Sequence, residues 1–357
     1  MFDKAFEYEF HGQPEVIPFS HDGWHDGWLS PGHGHLIDSS TVSVLGNISG
    51  GSPSPGSTLS SSSFASHHSS SLASNQTLVG SPGGLQIDLL WDSSVAHAPS
   101  GFKTAVTEAA TDLTTLFSNN EVINLHVGWG EVAGFRLPSN ALGESASNGY
   151  LTDYATVAGA VHAPAAGNDP TTSQFFVTSA EAKALGLTSA TSSSVDGYVG
   201  FGTLSRTGYS WDYNTSTSPV GANQFDLQAV AQHEISEVMG RIGMEGQIVN
   251  GHPTYTPLDL FNFSSLNTLE LSANGGYFSS DGGHTNLGTY NNASLYGGDI
   301  ADWASATSPT QSGTQGLTTP GNYYDAYDAF AAPGYVGQVT NSDINEMAAL
   351  GYALRSV

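Results

Sequence analysis

Residues Asp226 to Gly243 constrain the fold more than any other stretch of this chain. They read as one helix. Asp226 is a candidate N-cap, Leu227, Val230, Ile235, Val238 and Met239 supply apolar positions, and Gly240 and Gly243 end it. Within this apolar setting lie His233, Glu234 and Glu237. Positions i and i+4 of a helix stack on one face, so His233 and Glu237 can grip one metal ion, with Glu234 one residue round. The interleaved apolar residues imply burial. An imidazole and two carboxylates on a buried helix are costly without a compensating cation.

The order His233-Glu234-Ile235-Ser236-Glu237-Val238-Met239-Gly240 is a zinc-peptidase pattern, H-E-x-x-H-x-x-G, with Glu at the second ligand position. In that chemistry Glu234 is the general base toward a metal-activated water. Zinc accepts carboxylate oxygen as well as imidazole nitrogen. A carboxylate-rich site should acidify water less than three histidines do, and it should tolerate harder ions such as Mn²⁺. The longer form of the pattern has its third ligand where this chain has Gly243, which has no side chain to offer. The third ligand is therefore expected downstream. Asp259, on the apolar run Tyr255 to Phe261, is favoured; His252 and Glu245 are the alternatives. Tyr255 is a candidate donor to a developing oxyanion, or else a packed loop aromatic. His126, within the apolar run Val122 to Trp129, reads as a packing residue.

Charge narrows the partners. Only 11% of the residues are charged, and 7 Lys or Arg face 32 Asp or Glu, a net charge of -25. Such a surface repels phosphate backbones and anionic membranes, and it suits divalent cations bound through oxygen. Asp299 with Asp302, or the turn Asp281-Gly282-Gly283, could hold a structural Ca²⁺; ordinary turn chemistry is the other reading. No cysteine is present, which excludes disulfides, thiolate zinc sites and cysteine nucleophiles. No G-x-S-x-G or P-loop motif is present, and no apolar run approaches the roughly 18 residues of a membrane span. The first ten residues lack the features of a Sec signal peptide.

The chain divides by composition. Residues 1–82 read as a disordered low-complexity tail and linker. The repeat His21-Asp22-Gly23-Trp24-His25-Asp26-Gly27-Trp28 lies there, as does a Ser/Gly/Pro stretch from Ser52 to Ser71. Residues 83–357 read as one α+β domain. Strands are expected at Leu85 to Trp91, Val122 to Trp129 and Gly197 to Phe201. Helices are expected at Pro99 to Phe117 with Ser100 as N-cap, Tyr150 to Val161, Ser179 to Leu185 and Ser342 to Leu350. The part beyond Gly243 reads as loop-rich.

Several strings together resemble a family of bacterial zincin-like metalloproteases related to matrixins and serralysins. They are Trp91 to Val95 with Ala98 to Phe102, Val127 to Val132, Ala141 to Ser145, His233 to Arg241, Leu258 to Phe261, Tyr277 to Gly283, and Gly298-Asp299 with Asp302-Trp303. The resemblance implies a metzincin-type catalytic domain with a mixed sheet and an active-site helix. It also implies a secreted endopeptidase using Zn²⁺ on a protein or peptide substrate; a monomer, without an N-terminal Sec signal, is expected. Departures at Glu237 and Gly243 keep a rival expectation open: a non-enzymatic secreted protein that binds Ca²⁺ or a partner on a degenerate protease scaffold.

Overall fold

Apolar strands buried on both faces build the centre of the protein. The computed structural model describes residues 75–138, 141–205, 207–214, 219–305 and 323–355, together with the backbone of three short strands at Glu15–Ile17, His35–Leu36 and Thr41–Asn47. The principal sheet takes β1 (Gln76–Gly80), β2 (Gln86–Trp91), β3 (Val122–Trp129), β4 (Gly143–Asp153), β5 (Gln174–Thr178), β6 (Gly197–Phe201), β7 (Gln247–Val249) and β8 (His252–Tyr255). Their order across the sheet is β7-β8-β5-β4-β6-β3-β2-β1. Strands β2, β3 and β6 are parallel neighbours, and β4 runs antiparallel to both β5 and β6, so the sheet is mixed. In β2 and β3, Ile87, Leu89, Ile123, Leu125 and Val127 are completely buried. Each such side chain contributes roughly 1.5–3 kcal/mol.

The folded part starts earlier than composition implies. β1 lies inside the stretch read as linker, yet it pairs along its whole length with β2, and Thr77 Oγ1 accepts from Trp91 Nε1 at 2.9 Å. The backbone of Thr41–Asn47 also runs parallel to β4. Thr77 to Val79 is too short a patterned run to stand out; its partner strand decides its structure. Most of the rest of the expected tail, the His/Trp repeat included, lies outside the described residues.

Helix α1 (Phe102–Leu116) and helix α4 (Leu227–Val238) pack together, and α4 lies on β4 and β6. Gln228 and Gln232, one turn apart on α4, both donate to Asp112 Oδ2 of α1, at 2.7 and 2.9 Å. Gly101 rather than Ser100 occupies the N-cap of α1, without a side-chain cap. A second expectation changes at residues 150–153. Tyr150 to Asp153 belong to β4 and pair with β5, and helix α2 (Tyr154–Ala160) begins only after Asp153, whose Oδ1 accepts from Thr156 N at 2.8 Å. Sheet pairing overrides the helical reading of Tyr150-Leu151-Thr152. Helix α3 (Ser179–Ala184) follows β5 directly.

Beyond β8 the chain forms a small antiparallel sheet as well as loops. Its strands are β9 (Asn262–Ser265), β10 (Thr268–Leu269), β11 (Gly276–Phe278) and β12 (Gly288–Tyr290), in the order β10-β9-β11-β12. A closing helix, α5 (Asn341–Ala349), starts from a Thr340/Asp343 capping box. Between β12 and α5, Trp303 stacks on Tyr290 with centroids 4.9 Å apart and donates to Asp343 Oδ1 at 2.6 Å. Backbone bonds hold residues 302–304 on both sides, Trp303 N to Tyr327 O at 2.9 Å and Ala304 N to Thr289 O at 2.8 Å. This arrangement carries Asp302 under helix α4. No helix among the described residues is long and apolar enough to cross a membrane.

Candidate metal centre

Helix α4 begins on Asp226, whose Oδ1 accepts from Gln228 N and Ala229 N at 3.0 and 3.3 Å. It ends at Gly240, whose φ of +116° suits glycine. Of its twelve residues only Gln228 is not buried. His233 and Glu237 therefore point into protein, as the i,i+4 spacing and apolar surroundings predict.

His233 Nδ1 lies 2.8 Å from the Ala326 carbonyl oxygen. A carbonyl only accepts, so Nδ1 carries the proton and the lone pair of the neutral ring sits on Nε2. Nε2 lies 3.3 Å from Glu237 Oε1 and 3.2 Å from Asp302 Oδ1, neither contact being directed as a hydrogen bond. His233, Glu237 and Asp302 each offer a ligand atom within 4.8 Å of the others, the only such group of His and acidic side chains among the described residues. Side-chain exposure is 1%, 2% and 0% for the three. His233 Nε2, Glu237 Oε2 and Asp302 Oδ2 are buried without hydrogen-bond partners. One nitrogen and two carboxylates, oriented and unsatisfied, are a donor set that suits Zn²⁺ or a harder divalent ion.

Glu234 sits one residue round. A Cβ placed on Gly143 of β4 would come within 2.3 Å of Glu234 Oε1, so the missing side chain there makes room for the carboxyl. Both Glu234 oxygens lack partners. Burial, then the nearby Glu237 carboxylate, push its pKa well above the ordinary range.

Arg241 returns from the Gly240 turn into the same centre. Its Nη1 donates to Asp302 Oδ1 at 2.5 Å, Nη2 lies 3.5 Å from Glu237 Oε1, and Nε donates to Ser236 Oγ at 2.8 Å. The guanidinium carbon lies 4.4 Å from the centre of the Tyr327 ring. Burial raises the pKa of a carboxylate, but His233 and Arg241 outweigh it and hold Asp302 below its ordinary value. Burial likewise opposes a charged His233, but Asp302 and Glu237 raise it to about 9. A proton on His233 therefore balances part of the acidic charge around it. Outside this ring lie four more buried acids, Asp325, Asp328, Asp343 and Glu346. Glu346 Oε1 accepts from Tyr290 Oη at 2.7 Å, and burial lifts its pKa to about 8.

The downstream candidates go elsewhere. Asp259 Oδ2 accepts from Thr256 N at 2.8 Å and from Met244 N and Glu245 N at 3.1 Å each, a staple for the turn after α4. Burial raises its pKa to about 6 against those bonds. A Cβ on Gly243 would lie 2.9 Å from Ile300 and 3.2 Å from Asp259 Oδ1, so a ligand side chain at 243 has no room. His252 is exposed on β8. Tyr255 packs on Phe175 with centroids 5.9 Å apart. Neither joins the cluster, and nor does Glu245. Asp302 belongs to the His233 centre. Asp281 is satisfied within its own turn by Ser279 Oγ, Thr285 N and Thr285 Oγ1. His126 is half-buried, with Nδ1 2.7 Å from Asp92 Oδ1.

The sequence reading missed Arg241 as a member of the centre and Asp302 as its third acid. Arg241 was signalled only by membership of a family-like string; Asp302 was marked as a possible Ca²⁺ ligand with Asp299, not as a partner of His233. No protein-family model, curated protein or solved structure matches this chain.

Proposed function

We propose that this protein is a metal-dependent endopeptidase, the activity implied by its resemblance to zincin-like proteases, with a divalent ion held by His233, Glu237 and Asp302. One observation carries the reading: a lone-pair nitrogen and two carboxylates converge in a buried place, and each keeps an unpartnered atom. An ion bound there would polarise the scissile carbonyl and make water a better nucleophile. The chain's own groups supply the rest. The Ala326 carbonyl fixes the His233 ring. Glu234 takes a proton from the attacking water and hands it to the leaving amine. Glu234, protonated in a buried acidic setting, would release its proton more readily with positive charge beside Glu237.

A second reading has its own support. All four residues, His233, Glu234, Glu237 and Asp302, are buried, so a substrate could reach them only after the surrounding segments open. Closure of this kind favours a non-enzymatic protein in which the ion, or Arg241 in its stead, balances buried charge.

Metal analysis of the purified chain, with casein cleavage assayed before and after chelation, separates the two. The peptidase reading expects chelator-sensitive cleavage that Glu234→Gln reduces by about 10² to 10⁴ while metal content stays. Bound metal without cleavage leaves the second reading. Cleavage by Glu234→Gln within about tenfold of the parent removes Glu234 from the mechanism.

A further inference from the structure

Two carboxylates, each within 3.3 Å of one imidazole nitrogen, repel or reorient unless something holds them. We propose that Arg241 is the positioning residue of the centre, keeping Asp302 and Glu237 in a chelating arrangement whether or not an ion is bound. The inference rests on the metal-binding reading above and adds a residue to it.

The guanidinium touches the centre at several points. It donates to Asp302 Oδ1 at 2.5 Å, lies 3.5 Å from Glu237 Oε1, and reaches the His233 carbonyl at 3.4 Å. The oxygens it engages are Oδ1 and Oε1; Oδ2 and Oε2 remain without hydrogen-bond partners. Each carboxylate thus has one oxygen held by arginine, which is also the oxygen nearest His233 Nε2, and one without a hydrogen-bond partner. The fork is itself held. Nε donates to Ser236 Oγ, Ser236 Oγ donates to the His233 carbonyl at 2.6 Å, and Tyr327 covers the planar face. Lysine can supply the charge but not the planar, multiply bonded geometry. The cluster stands on α4 except for Asp302, which arrives from a loop 61 positions beyond Arg241. Arg241 is the group that ties that loop to the helix.

The test uses the full chain and Co²⁺ as probe, read by its visible absorption and by titration. The parent should bind one Co²⁺ per chain with a low-symmetry spectrum. Arg241→Met should weaken binding by about 10- to 100-fold and change the spectrum, because outer groups that orient ligands typically carry effects of that size. Arg241→Lys should recover only part of the loss. Ser236→Ala, which loosens the fork without removing charge, should weaken binding by less than Arg241→Met and shift the spectrum the same way. In a double-mutant cycle, Arg241→Met should add little once Asp302→Asn is present, because the arginine acts through that carboxylate. Parent-like affinity in both Arg241→Met and Ser236→Ala, or additive losses in the cycle, overturns the proposal. Should Arg241→Met fail to fold, Ser236→Ala and the Arg241→Lys spectrum decide it. A parent that takes up no Co²⁺ sinks the metal reading and this inference with it, whereas binding by the parent and equally by the variants sinks only this one.

Discussion

Lys183 and Asp196 are as deeply buried as His233, Glu237 and Asp302, yet the two clusters are finished to different degrees. Lys183 Nζ donates to the Val122 carbonyl at 2.7 Å, the Ser192 carbonyl at 3.3 Å and Asp196 Oδ2 at 2.5 Å. Asp196 in turn accepts from Asn124 N at 2.8 Å and Ser179 Oγ at 2.7 Å. Both partners of that pair have their bonding capacity taken up by protein. In the α4 centre, by contrast, an imidazole nitrogen and one oxygen on each of two carboxylates have no partner. Buried polar atoms are normally satisfied. A complete cluster is explained by folding alone; the α4 centre differs in that a nitrogen and two carboxylates with open atoms converge, as a metal ligand set would.

If that contrast is right, the two clusters should fail in different ways. Lys183→Met should give the largest effect, about 3–5 kcal/mol of stability, because it strands Asp196 as an unpaired buried charge. Denaturant unfolding measures this, and a loss under about 1 kcal/mol would mean that Asp196 is rescued by protonation or water. Asp302→Asn should act on metal as well as on the buried pair with Arg241. A Co²⁺ affinity reduced by about a hundredfold, or roughly 2.8 kcal/mol, is expected, with His233→Ala losing the ion altogether. If Asp302→Asn binds as the parent does, the third ligand is elsewhere.

Asp259→Ala sharpens the comparison, since this acid resembles a ligand in sequence and a staple in structure. It should cost about 1–3 kcal/mol by leaving three backbone N–H groups unmatched, with metal affinity unchanged; loss of metal would restore it as a ligand. The smallest effect concerns pH. Glu121, beside the Lys183 cluster, has both oxygens buried without partners, and burial lifts its pKa to about 8, with Lys183 opposing. A folded-state pKa above the unfolded one stabilises the fold while the group is protonated. That contribution is complete below about pH 4.5 and is lost as pH rises through 8. Melting temperature should therefore fall by a few degrees across this window, and Glu121→Gln should flatten the fall. An unchanged slope in that variant assigns the pH dependence to other groups.

The contrast was only half legible in the chain. Asp226, the apolar positions and Gly240 announced helix α4, and the spacing of His233, Glu234 and Glu237 announced a polar face on a buried helix. These are local facts, set by helical geometry over a few turns. Strands β2, β3 and β6 were legible for the same reason, as short apolar runs with turns at their ends. Residues 150–153 were not, because Tyr150 and Thr152 suit a strand once β5 lies beside them. Asp259 and Asp302 were both acids near apolar residues, and nothing within ten residues of either distinguishes a staple from a ligand.

By itself, then, the sequence determined an acidic, cysteine-free α+β chain with one helix that buries an imidazole and two glutamates. Tertiary structure alone decided what meets them. Asp302 reaches the helix because Trp303 is held between β12 and residues 327–329 and stacks on Tyr290. Arg241 reaches it because Gly240 turns the chain back at φ +116°. Glu234 fits because Gly143, ninety-one positions earlier, has no side chain. Helix periodicity is written in neighbouring residues, but convergence of side chains from distant segments depends on packing, which no local pattern encodes.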